Sequence, residues 1–195
     1  MPAPNPLRRR ALQDAAIELV ADEGLHGLTY RALDRRAGLP VGTASNYFPS
    51  RTGIVAATAE RLVELLQDEF QEEETAGSTL TNAAESIARS LVRAATLHRS
   101  RWAAMFELQN EMRRRPEIAA AIAPLQQLSE DATAEHHRRR QLPIPAEATP
   151  VLQALYGGAL QALLALPRED VTLERANQFA RSMIFGVRQA VGKTF

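Results

Sequence analysis

Nowhere does this chain alternate apolar and polar residues for long enough to build a half-buried strand, whereas apolar residues recur at helical spacing almost from end to end. Ala, Leu, Glu, Gln and Arg dominate, all good helix formers. No segment repeats at a fixed period, which sets solenoids aside. The expected fold class is therefore all-α. With 195 residues the chain can bury a real core, as one domain or as a small domain joined to a larger one. Apolar residues at 45% and charged residues at 24% place it among globular proteins and away from disordered ones.

Nine helices are legible from periodicity and from start and stop residues. Three Pro in residues 1–6 predict a loose arm. A first helix is expected from Arg8 to Asp22, with Leu12, Ala16, Leu19 and Val20 on one face and Gly24 closing it. Thr29 suits the N-cap of a second helix over Tyr30–Ala37, closed by Gly38. Pro40 is compatible with the first turn of a short third helix ending near Tyr47-Phe48. Ser50 caps a fourth over Arg51–Glu74. A fifth ends near His98, a sixth spans Arg101–Arg115, and a seventh runs from Pro116 to Gln141 with a break or kink at Pro124. After a loop at Pro143, Pro145 and Pro150, an eighth covers Ala148–Leu166 and a ninth Leu173–Gly192.

Composition excludes several chemistries. Without Cys there can be no disulfide, thiol nucleophile or cysteine redox sensor. The chain shows no HExxH, no Gly-rich phosphate loop and no pair of Glu-x-x-His motifs on the helices of a bundle, so it is expected not to be an enzyme and to need no cofactor. His136 and His137 point about 100° apart on a helix and do not readily share a metal. No apolar run approaches the roughly 20 residues that span a bilayer, and Met1–Arg10 lacks an apolar stretch behind its positive charge. A cytoplasmic location with no membrane partner is expected. The net charge is zero, but seven Arg against five carboxylates leave residues 1–51 at +2, with Arg8, Arg9 and Arg10 adjacent.

The segment that carries chemistry is TYRALDRRAGLPVGTASNYFPSR, Thr29 to Arg51. It reads as a helix, a tight turn at Gly38-Leu39-Pro40, and a second helix, which is the helix-turn-helix pattern. Leu33 and Ala37 need apolar partners, and Leu39, Val41, Ala44 and Phe48 are placed to supply them. Such packing would push the second helix outward, offering Thr43, Ser45, Asn46 and Tyr47 to a major groove about 12 Å wide.

Thr29, Ala37-Gly38-Leu39, Gly42-Thr43, Tyr47-Phe48 and Ser50-Arg51 resemble, in order and spacing, the N-terminal region of the TetR family of transcriptional regulators. The resemblance covers roughly residues 8–55. It implies a DNA-binding domain at residues 1–51 and a helical ligand-binding and dimerisation domain at 52–195. It also implies phosphate contacts from Thr29, Thr43, Tyr47 and Arg51, with Tyr30 beside them. Bases would be read by Val41, Thr43, Ala44 and Ser45, with Asn46 in reach. Arg51 stands where the family usually has Lys, Ser45 where it often has an aromatic, Pro40 where it has a polar cap, and Asp34 where it usually has Ala.

The remaining expectations concern the larger part. His98, Trp102, Met105, Phe106 and Gln109, with Tyr156 on the eighth helix, combine apolar bulk with a few polar groups, as a small-molecule pocket requires. Ordinary core packing is the competing reading for each. Gly157 and Gly158 inside the eighth helix imply close approach of another helix, either within the chain or across a dimer. The ninth helix is apolar on more than one side, and Met183 and Val187 are assigned with the two Gly to a homodimer interface. The leading expectation is thus a homodimeric repressor, bound to a palindromic double-stranded DNA operator and released by a small molecule. The alternative is a helical scaffold or ligand-binding protein that does not bind DNA.

Overall fold

The computed structural model describes residues 5–72, 80–139 and 148–191, which form nine α-helices and no strand among the described residues. They are α1 (Pro6–Gly27), α2 (Tyr30–Arg36), α3 (Thr43–Tyr47), α4 (Arg51–Glu72), α5 (Leu80–Thr96), α6 (Arg99–Met112), α7 (Pro116–Arg139), α8 (Thr149–Leu164) and α9 (Leu173–Val191). The expected ends Glu73, Glu74, Gln141 and Gly192, and the expected loop residues Pro143 and Pro145, lie outside the described residues. So do the side chains of His136 and His137.

Three departures from expectation are local. α1 starts at Pro6 instead of Arg8, because the Asn5 side chain accepts from the amides of Leu7 and Arg8 and Pro6 suits the first turn. Gly24, at φ +68°, breaks the regular helix as expected, and one further turn follows to Gly27. α7 continues through Pro124.

The chain divides into two compact units, Met1–Asp68 with Ser100–Gln127, and Glu69–Arg99 with Leu128–Phe195. In the first, Leu12, Leu19, Leu33, Leu62, Leu108 and Ile118 are all but completely buried in one cluster. α6 and the start of α7 therefore share a core with α1, α2 and α4. Two polar ties reinforce it. The buried Gln13 amide donates to the Ala57 carbonyl at 2.9 Å, and Arg61 bonds Asp14 at 2.8 Å and Glu64 at 2.9 Å. Burial works against the Arg61 charge, but the bonds from Asp14 and Glu64 outweigh it, so its pKa is raised.

In the second unit α5 packs on α8 and α9. Its contact face is mostly Ala (Ala83, Ala84, Ala88, Ala94 and Ala95, with Leu91), which brings helices close together. Arg99 donates to the carbonyls of Leu164 and Leu166, so a cation closes the C-terminal end of α8, where the helix dipole favours it. Among the described residues there is no group of three or more acidic or His side chains able to hold a metal, and no helix long and apolar enough to cross a membrane.

Candidate nucleic-acid interface

The turn between α2 and α3 owes its shape to two glycines. Gly38 lies at φ +65° and Gly42 at φ +92°, both in the left-handed region that L side chains avoid. The expectation that Pro40 opens the third helix is corrected here. α3 begins at Thr43, Gly42 is its N-cap, and the Pro40 carbonyl accepts from the Thr43 amide at 3.1 Å. A Gly cap brings no side chain, so the exposed amide ends of a five-residue helix need another acceptor. Asp34 supplies it. From the buried face of α2, one carboxylate oxygen accepts from the Gly42 amide at 2.7 Å and the other from the Ala44 amide at 2.6 Å. Asp34 is 1% exposed.

Two hydroxyls on α3 are turned back on the backbone. Thr43 Oγ1 donates to the Pro40 carbonyl at 2.6 Å and Ser45 Oγ to the Gly42 carbonyl at 2.9 Å. Their protons being used, these oxygens are left with acceptor capacity only. Val41, Ser45 and Asn46 are exposed, Val41 at 82%. Ala44 is not: it is fully buried, one helical turn before the buried Phe48, so its expected role as a base reader is withdrawn.

The residues expected at phosphates frame this helix. Thr29 caps α2, accepting from the Ala32 amide at 3.2 Å, and is exposed. The Tyr47 ring packs on the core while its hydroxyl accepts from the Asn5 amide at 3.1 Å, joining α3 to the start of α1. The Tyr30 hydroxyl donates to the Phe48 carbonyl at 3.0 Å, which holds the C-terminal end of α3. Arg51, exposed at the start of α4, donates from one guanidinium nitrogen to the Leu25 carbonyl. Of the basic residues ahead of and within these helices, Arg9 lies over the Phe48 ring, 5.3 Å from its centroid, and 3.7 Å from Glu60. Arg36 is drawn among Glu18, Asp22 and Glu23. Arg8, Arg10, Arg31 and Arg35 are exposed. The structure thus brings Val41, Thr43, Ser45, Asn46 and Tyr47 onto one short helix and its turn, with Thr29 and Arg51 at two neighbouring helix starts. In the sequence Asp34 stands out only as an unusual residue. The available signal is an acid on an apolar helix face, eight residues before a glycine that cannot cap.

The residues expected to form a pocket do not fall in one unit. Trp102, Met105, Phe106 and Gln109 belong to the first, with the Trp102 and Phe106 rings 6.4 Å apart and Met105 buried in the core. His98 and Tyr156 belong to the second, where the Tyr156 and Ser90 hydroxyls lie 2.8 Å apart. Of the residues assigned to a dimer interface, Gly158 is exposed and among the described residues nothing lies within 4 Å of a Cβ placed on it, so no described helix of the chain approaches it closely. Gly157 is half-buried. Met183 is only 4% exposed and packs within its own chain, so it is not offered to a partner. Its helix instead exposes Phe179 and Phe185. The side chain of Val187 lies outside the described residues.

Residues 12–58 match the family described as bacterial regulatory proteins, tetR family, and residues 78–186 match the tetracyclin repressor-like C-terminal domain. The HTH-type transcriptional regulator BetI of Klebsiella pneumoniae is 36% identical over 63 residues, 32% of this chain and 32% of BetI. The match therefore spans about a third of that curated relative's length. Among solved structures, a transcriptional regulator from Saccharomonospora viridis in complex with choline is similar at TM-score 0.71 and 23% identity, over 92% of this chain and 96% of that one. The multidrug binding protein EbrR complexed with ethidium is similar at TM-score 0.67 and 23% identity, over 92% and 99%. At these identities the structural likeness establishes the fold.

Proposed function

Because the chain belongs to the TetR family, whose members are transcriptional regulators, we propose that it is a homodimeric DNA-binding repressor whose hold on a palindromic operator is released by a small molecule. The observation that carries this is the outward face of α3 and its turn. Val41, Ser45 and Asn46 are exposed there, while Ala44 and Phe48 anchor the opposite face in the core. A short helix held on one side and bare on the other suits insertion into a major groove. Thr29, Thr43, Tyr47 and Arg51 surround it as phosphate contacts, which fix position without reading sequence. Val41, with its methyl groups, and Ser45 and Asn46, with polar atoms, are the base readers.

The division of labour is proposed as DNA contact by residues 1–51, and effector binding and dimerisation by residues 52–195. It is a division of function, since the compact unit holding the first also includes Ser100–Gln127. Dimerisation is supported by α8, where Val151, Leu155, Gly158 and Ala162, with Ala165 at its C-cap, are exposed at alternating spacings of four and three. That stripe is the seam one helix presents to another, and a second copy would cover it. Two recognition helices so paired would lie about 34 Å apart, one turn of DNA.

A small-molecule effector is supported by the two similar structures that hold choline and ethidium. An effector can release DNA only by binding the non-DNA-binding arrangement better. α6 suits the transmission, because its Ala104 and Leu108 belong to the core that also holds α1 and α2. Trp102 on that helix is the only Trp in the chain and reports on it.

Selection of duplexes from a random pool, followed by fluorescence anisotropy at several salt concentrations, tests the reading. Tight, salt-dependent binding to a palindrome is expected. A wild-type chain that favours no duplex over random DNA overturns it in favour of the scaffold reading, in which the bare face of α3 meets no nucleic acid.

A further inference from the structure

We propose that Asp34 is the positioning residue of the recognition helix: its carboxylate, not any residue of α3 itself, sets where that helix sits and so sustains discrimination between DNA sequences. The proposal rests on the DNA-binding reading above.

α3 has five residues, too few to be stable by its own hydrogen bonds. Its N-cap, Gly42, has no side chain to offer, and Pro40 lacks an amide. The hydroxyls of Thr43 and Ser45, the nearest alternative caps, are turned onto the carbonyls of Pro40 and Gly42, and among the described residues neither oxygen accepts from an amide of α3. The first amides of the helix therefore depend on an acceptor from elsewhere. Asp34 meets them with both oxygens at 2.6–2.7 Å, the length expected when the acceptor is charged. Because the carboxylate is buried on α2, rotation or sliding of α3 would strand it without partners, which is costly. Gly42 at φ +92° is what lets its own amide and that of Ala44 face one carboxylate. Apolar packing by Ala44 and Phe48 holds α3 against the core, and the Tyr30 and Tyr47 bonds hold its C-terminal end, but they leave its N-terminal end free to shift. The two directional bonds remove that freedom.

Of the four phosphate contacts, Thr29 and Arg51 sit at other helix starts and Tyr47 is tied to α1 by its hydroxyl, while Thr43, the one beside the cap, carries no charge and adds nothing to the salt slope. A defect at Asp34 should therefore spare binding to random DNA and harm the preference for one sequence. The isosteric variant Asp34→Asn keeps one acceptor oxygen and turns an NH2 group toward an amide. Two measurements settle the matter. The first is site-resolved amide hydrogen exchange. In the wild type, Gly42 and Ala44 exchange slowly, although Gly42 lies in a turn. In Asp34→Asn both exchange faster while amides of α1 and α4 do not change. The second is the ratio of affinities for a duplex selected by the wild-type chain and for a random duplex. It falls about 10–100-fold, the loss expected for a hydrogen bond to a charged group, with the random-duplex affinity and its salt slope kept.

Rapid exchange of the Gly42 amide in the wild type overturns the proposal, whether or not the variant folds. So does an unchanged affinity ratio, or an equal loss on both duplexes together with general amide opening, which is the outcome for a merely structural role. A wild-type chain that favours no duplex, while Asp34→Asn still opens only Gly42 and Ala44, refutes the DNA reading and the specificity role with it, and leaves the cap demonstrated.

Discussion

Replacing Arg51 by Ala separates positioning of the DNA from reading of it. Arg51 is the first residue of α4, exposed, with one guanidinium nitrogen on the Leu25 carbonyl. A guanidinium has five N–H donors, so that bond leaves several for a phosphate. In a dimer the residue is present twice. Each phosphate contact contributes about 0.9 to the slope of log affinity against log salt, so losing one per subunit flattens the slope by about 1.8. From about 50 to 200 mM salt, a fourfold change, the wild type should then lose affinity about tenfold more steeply than the variant. Losing the bond to Leu25 also weakens the fold locally, but that penalty is nearly the same at every salt concentration and leaves the slope alone. Anisotropy titrations with a labelled operator at four salt concentrations measure the slope. The same titrations with duplexes altered at single base pairs measure preference. The expected result is a flatter slope and the same order of preference. An unchanged slope, or a reordered preference, refutes the assignment of Arg51 to a phosphate.

Gly42→Ala introduces strain at φ +92° without a clash among the described residues, and should destabilise the first unit by about 1–2 kcal/mol in denaturant unfolding. Gly42→Asn should lose less, since Asn tolerates positive φ. Leu108→Ala empties a fully buried site in the core shared by α1 and α6, and a loss of about 2–5 kcal/mol is expected from the same assay. Gly158→Arg should convert a dimer to monomers by light scattering at micromolar concentration, and a monomeric wild type would end the dimer reading. An effector found by screening for operator release should change the fluorescence of Trp102, and an unperturbed Trp102 would move the switch away from α6.

Features that depend on neighbours along the chain are legible in the amino-acid sequence by itself. Helical periodicity puts Leu12, Ala16, Leu19 and Val20 on one face, Thr29 announces a cap, and Gly24 and Gly38 mark helix ends, because each effect is exerted within one or two helical turns. Features that join distant residues are not legible in this way. Periodicity shows that a face is apolar without naming what covers it, so it leaves Ala44 and Met183 free to face outward, and packing turns them in. Conversely, Phe185 stands 64% exposed on a helix whose Met183 and Ile184 are buried. Only the tertiary structure sets α6 in one core with α1 and α2, and only it brings Asp34 to the amides of Gly42 and Ala44. An acid on an apolar face is a defect in a linear reading. It becomes a cap once the turn folds the next helix back across it, since a buried charge is tolerated where donors meet it, and which donors meet it is decided by the packing of the two helices.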